Sequence, residues 1–202
     1  MTNLQALIDA VPTFKNPHAQ IVRVISNTKH AYGLKRAESS TPPIPTTIHS
    51  LASFRKTCES NLPETKVRKS YDESLAKVVL EPKPDLIVLA GFMHILSEGF
   101  LEALNKVPVI NLHPALPGCF DGACAIARAW EAGPDGTGDV SETGVMIHEV
   151  IAEVDRGSPV VIRKVELKKQ ESLAELEERM HKVEHELIVE GTREMLSRIA
   201  KS

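Results

Sequence analysis

The sequence predicts an α/β fold: a single domain over residues 1–202, built on a doubly wound, mostly parallel sheet. Three observations carry this. Helix-like and strand-like segments alternate through the first half of the chain. Two short runs, DLIVLA at 85–90 and PVINL at 108–112, are almost wholly apolar, as strands covered on both faces are. And 202 residues, 42% hydrophobic and 25% charged, suffice for one sizeable core but not for two ordinary domains.

The elements follow in order. In 3–10 (NLQALIDA), Leu4, Leu7 and Ile8 share one helical face, and Pro12 stops the helix. The β-branched IVRVIS at 21–26 reads as a strand, 32–39 as a helix ended by Ser-Thr-Pro-Pro, and 46–49 as a short strand. Residues 54–66 are polar and read as a surface loop. Between 68 and 80, Tyr71, Leu75, Val78 and Val79 mark an amphipathic helix closed by Pro82 and Pro84. Strand 85–90 precedes a helix over 96–104, and strand 108–112 runs directly into His113-Pro114. Residues 123–132 form a helix, 136–142 a Gly-rich loop, and 143–150 and 159–167 two more strands. The last element is long: Ser172 with Glu175 is a capping box, and a stripe from Leu173 to Ile199 keeps helical spacing. Gly191 is its weak point.

Composition narrows the function. A net charge of −3 argues against phosphate-neutralising nucleic-acid binders and polybasic membrane binders. No apolar run is long enough to span a bilayer, and the first ten residues lack signal-peptide features. Three cysteines without CxxC spacing suggest a reducing compartment, hence a cytoplasmic protein without disulfides. Cys119, Cys124 and His113 lack a fourth ligand at convincing spacing, so no metal is expected. GPDGTGDVSETG at 133–144 lacks both the strand–GxGxxG–helix context and a GK[ST], and no G-x-S-x-G occurs.

In an open α/β sheet, ligands bind beyond the carboxyl ends of strands. After 85–90 comes Gly91-Phe92-Met93, and after 108–110 comes Asn111-Leu112-His113-Pro114. Asn111 and His113, two apart in an extended segment, point to one side. An amide and an imidazole facing one way can hold an oxygen that gains negative charge, and the imidazole can donate a proton near neutral pH. The plain alternative is a strand-end pair capping local backbone. Farther on, His148 falls in a strand and Asp155 in an Asp-Arg-Gly turn. Each has an ordinary structural explanation, and spacing alone does not bring Asp155 to Asn111 and His113.

The motifs taken together resemble the glycinamide ribonucleotide formyltransferase family. They are NLQALIDA at 3–10, PDLIVLAGFMHILS at 84–97, NLHPALPG at 111–118, HEVIAEVDRGSPVVI at 148–162 and VEHEL at 183–187, in family order along nearly the whole chain. The resemblance implies direct attack of the substrate amine on the formyl group of 10-formyltetrahydrofolate, a co-substrate. It implies that Asn111 and His113 hold the developing oxyanion and that Asp155 orients His113 and moves a proton. It further implies substrate contacts from Asn3, Gly91, Pro114 and Glu184. Leu89, Phe92, Ile95, Leu96 and Val150 would line a pterin pocket, with Arg68 and His94 at the benzoyl-glutamate end. Arg68 has a plain alternative as a solvated side chain opening a surface helix. The expected partners are small-molecule substrates, with no nucleic acid or membrane, in a monomer or homodimer.

The sequence departs from the family pattern at three places. Cys124 stands where a polar residue or histidine is expected. His94 stands where arginine is frequent, giving a weaker, pH-dependent cation. The usual first strand and Gly-rich phosphate loop before NLQALIDA are also missing. The first strand of a doubly wound sheet is central, and each unsatisfied buried backbone group costs about 1–3 kcal/mol. The expectation is therefore a sequence shortened at its start. The readings left open beside GAR formylation are an inactive or folate-binding remnant of the family, and another formyltetrahydrofolate-dependent formyltransferase or a deformylase.

Overall fold

The computed structural model describes residues 2–15, 18–134 and 138–201. Gly136 and Thr137, in the expected Gly-rich loop, lie outside them. Helix α1 (Asn3–Ala10) starts from Thr2, whose hydroxyl accepts from the Gln5 amide at 3.3 Å. It continues into a 3-10 turn at Val11–Thr13. Then come β1 (Val24–Ser26), α2 (Tyr32–Glu38), β2 (Thr46–Ile48) and α3 (Leu51–Arg55). Next are α4 (Glu64–Leu80), β3 (Ile87–Leu89), α5 (Glu98–Ala103), β4 (Val109–His113) and α6 (Ala125–Glu131). The chain ends with β5 (Glu142–Glu149), β6 (Pro159–Glu166) and α7 (Leu173–Ile199).

The strands form two sheets among the described residues. β1 and β2 pair in parallel. The second sheet has the order β3-β4-β5-β6, with β3 and β4 parallel and the other two pairs antiparallel. This is a mixed α/β fold. The mostly parallel single sheet expected from sequence is divided, because β1 and β3 do not pair. Between them lies a slot of about 1230 Å³, lined by residues of both strands together with α1 and α7.

The four-stranded sheet is covered on both faces. Successive residues of β4 show it: Ile110 joins a cluster with Val145, Ile147, Leu176, Met180, Leu187 and Ile188, whereas Val109 joins Tyr71 and Leu75 of α4, Phe100 of α5 and Leu96 just before α5. Each fully buried Leu, Ile or Met contributes about 1.5–3 kcal/mol, so α7 is held mainly by this apolar face. Its start carries the expected capping box at Ser172 and Glu175. Gly191 does not interrupt it. A Cβ there would come within 2.8 Å of Ile147, so glycine lets the helix pass close over β5.

Two sequence expectations are corrected here. The run 85–90 was expected to be covered on both faces, but its strand residues Ile87, Val88 and Leu89 are only half-buried. They border the slot. The expected loop over 54–66 is shorter, because α3 reaches Arg55 and α4 begins at Glu64. The Ser50 hydroxyl caps α3 by accepting from the Ser53 amide, a signal at the edge of a short, weakly periodic segment.

Candidate active site

Strand β4 ends at His113, and its neighbours build the site. Parallel pairing sets Leu89 beside Asn111, which brings the Gly91 turn to the same end of the sheet. Gly91 has φ +68, a left-handed conformation glycine adopts without cost. Antiparallel pairing sets His148 of β5 directly opposite Asn111. The Asn111 amide nitrogen lies 3.4 Å from His148 Nε2.

Asp155 reaches this group from the turn after β5. It has φ 56, which aspartate tolerates better than most residues. The turn is tight against β5: a Cβ on Gly157 would fall 1.6 Å from the Glu149 carbonyl oxygen. One Asp155 carboxylate oxygen lies 3.2 Å from His113 Nδ1 and accepts from the Gly122 amide at 2.8 Å. The other lies 3.4 Å from His148 Nε2. The side chains of His113 and His148 are each 3% exposed and that of Asp155 is 8%, so these contacts form largely out of water.

The hydrogen-bond partners fix several roles. His148 Nδ1–H donates to the Glu149 carbonyl at 2.8 Å. Burial pushes the His148 imidazole below its usual pKa, against smaller opposing pulls from that carbonyl and from Asp155. His113 adds to the lowering. A neutral His148 with its proton on Nδ1 leaves Nε2 as an acceptor for the Asn111 amide. That fixes the orientation of Asn111 and leaves its second N–H for a ligand. His113 Nδ1 faces the carboxylate, and Nε2 faces the Cys119 carbonyl at 3.3 Å. A ligand oxygen would compete with that long contact. The site therefore offers two donors for an oxyanion and one carboxylate for a proton.

The remaining expected residues fall into two groups. Asn3 opens α1, and its side chain acts on the Glu184 carboxyl of α7. Its Oδ1 is buried and has no hydrogen-bond partner. Burial pushes the Glu184 carboxyl above its usual range, against the opposing effects of His181 and Asn3. Asn3, Gly91 and Glu184 all border the slot, while Pro114 follows β4 directly. Leu89, Phe92, Leu96 and Val150 belong to one apolar cluster with Tyr71 and Phe100. Ile95 points outward at 63% exposure. Arg68 Nη2 lies 3.3 Å from His94 Nδ1.

Reasoning from sequence did not assign His148 to the site. Its signal is the cross-strand pairing with Asn111, which needs the β4–β5 register. Cys124, at a departure from the family pattern, has φ 57 at the start of α6 and is exposed.

Residues 1–192 match the family model described as Formyl transferase. The chain is 45% identical over 205 residues to a phosphoribosylglycinamide formyltransferase of Saccharomyces cerevisiae, covering 99% of this chain and 94% of that one. It is 41% identical to the enzyme of the same name from Schizosaccharomyces pombe, covering 97% and 92%. The crystal structure of glycinamide ribonucleotide transformylase 1 from Symbiobacterium toebii superposes with a TM-score of 0.81. It is 27% identical, and the match covers 98% of this chain and 83% of that one.

Proposed function

The chain belongs to the formyl transferase family, alongside the phosphoribosylglycinamide formyltransferases of purine biosynthesis, and from that premise we propose a mechanism for its reaction. The reaction moves a formyl group from 10-formyltetrahydrofolate to the primary amine of glycinamide ribonucleotide. The observation that carries the mechanism is the convergence of Asn111, His113 and Asp155 at the end of β4, with 3.2 Å between imidazole and carboxylate.

The amine nitrogen attacks the formyl carbon, and the carbonyl electron pair moves onto oxygen. Asn111 and His113 donate hydrogen bonds to that oxygen where its charge develops. The amine must shed a proton once the C–N bond has formed. Asp155 takes it through water and returns it to N10 of the folate as the carbon–N10 bond breaks. Formylated product and tetrahydrofolate leave, with atoms and charge balanced and without a covalent enzyme intermediate.

Substrate contacts fall to Asn3, Gly91, Pro114 and Glu184, with the Glu184 carboxylate on hydroxyl groups. Folate contacts fall to Leu89, Phe92, Ile95, Leu96 and Val150, with Arg68 and His94 at the carboxylate end. The chain acts as a single cytoplasmic domain, as monomer or homodimer. One doubly wound, mostly parallel sheet would require an extended segment pairing in the slot between β1 and β3. The experiment is a formyl-transfer assay with both substrates, read by mass of the formylated ribonucleotide. Product is expected only when both substrates are present; no product under any condition rejects the reading.

A further inference from the structure

A second polar cluster lies apart from the catalytic group, between α4 and the 90–97 loop. Asp72 of α4 is 2% exposed. A buried carboxylate needs its lone pairs satisfied, and both its oxygens are engaged. His94 Nε2 approaches Oδ1 at 2.7 Å, and the Ser97 amide donates to Oδ2 at 3.0 Å. The His94 ring also packs edge-on to Tyr71 and Phe92, with centroids 5.5 and 5.9 Å away.

The other nitrogen of this ring fixes its tautomer. His94 Nδ1 faces Arg68 Nη2 at 3.3 Å. A guanidinium only donates, so Nδ1 accepts and the ring proton sits on Nε2, directed at Asp72. Both nitrogens are then occupied, and His94 has no N–H left for a ligand. Arg68 still has donors to spare: its exposed guanidinium uses one toward His94, and no ion pair engages it among the described residues.

We propose that Asp72 is a positioning residue that acts through His94 to aim Arg68 at the carboxylate tail of the folate donor. This rests on the folate reading above. It changes the part His94 plays, from a ligand contact to a link. Arg68 supplies the charge, His94 holds it, and Asp72 holds His94. A planar guanidinium fixed at one corner keeps its remaining N–H groups in a fork that matches a carboxylate.

The test uses two donors: 10-formyltetrahydrofolate, and the corresponding 10-formyltetrahydropteroic methylamide, which keeps the pterin and benzoyl groups but ends in a neutral amide. Binding is measured by calorimetry, which needs no turnover, and KM and kcat by formyl transfer. The wild-type chain should bind the glutamate-bearing donor about tenfold or more tightly than the amide, the scale of a charge-assisted hydrogen bond. Asp72→Asn should raise Kd and KM for the glutamate-bearing donor about tenfold, leaving kcat and the amide donor within about twofold, and His94→Ala should weaken the glutamate-bearing donor about tenfold more than the amide donor. His94→Gln, whose amide can donate to Asp72 and accept from Arg68, should restore the preference between donors. Equal weakening of both donors, a fall in kcat alone, or an unchanged preference in His94→Ala overturns the inference. A wild-type chain that binds neither donor rejects the folate reading itself, a failure distinct from these.

Discussion

The two sheets of this protein are built to different standards. In the four-stranded sheet, the middle strands β4 and β5 are paired on both sides, and six consecutive residues of β5 are buried. In the two-stranded sheet, no residue of β1 or β2 is fully buried. The well-packed sheet carries Asn111, His113 and His148, whose spacing must hold to a fraction of an ångström for oxyanion chemistry. The slot between the sheets is bordered by Asn3, Gly91 and Glu184, whose proposed task is to hold a flexible substrate. Dense packing lies at the proposed catalytic group, and open space borders the proposed substrate contacts.

Substitutions can break this contrast from either side. The largest effect is expected at His113→Ala. It removes one oxyanion donor and the partner of Asp155, and kcat should fall on the order of 10²-fold or more with KM little changed. Steady-state kinetics with both substrates checks this. A smaller effect, on stability, is expected at Gly191→Val. New methyl groups would press on Ile147, and overpacking of this kind costs about 1–3 kcal/mol. Thermal melts should show a drop of about 2–4 °C per kcal/mol. Val24→Ala in half-buried β1 should cost roughly 1 kcal/mol at most. Equal costs at the two positions would erase the distinction between the sheets.

The smallest effect tests the slot. Burial raises the folded-state pKa of Glu184, so the folded state favours its neutral form. The stability this form gives is fully present below the unfolded value of 4.5 and is lost as pH rises through the folded value. At neutral pH the ionised group is therefore a burden to the fold. Glu184→Gln should raise Tm at pH 7 by about 2–4 °C for each kcal/mol returned, with little change at pH 4. It should also raise KM for the ribonucleotide, the trade expected where a site keeps a destabilised group for binding. A lower Tm at pH 7 would contradict this.

Much of this arrangement was legible in the residues themselves. Helical stripes located α1, α4 and α7, the Ser-Thr-Pro-Pro stop marked the end of α2, and the apolar runs located β3 and β4 within two residues. Those signals are local and come from burial on one face or both. The segment 51–55 escaped because five residues carry too little periodicity, and the depth of β3 because exposure to a slot is a tertiary property. At the site, Asn111 and His113 share a face by strand geometry alone. Asp155 reaches them only because Gly157 lets its turn approach the Glu149 carbonyl. His148 reaches Asn111 only through an antiparallel register set 37 residues away. Neither distance is written in local spacing.

The central claim is that Asp155 serves the proton transfer of a direct formyl transfer, and Asp155→Asn tests it most directly. The amide is isosteric with the carboxylate and retains an oxygen for the Gly122 amide, so the turn should keep its form. With both substrates saturating, kcat for formylated ribonucleotide should fall on the order of 10²-fold or more, with Tm close to that of the unchanged chain. A kcat within a few-fold of the unchanged chain would contradict the account.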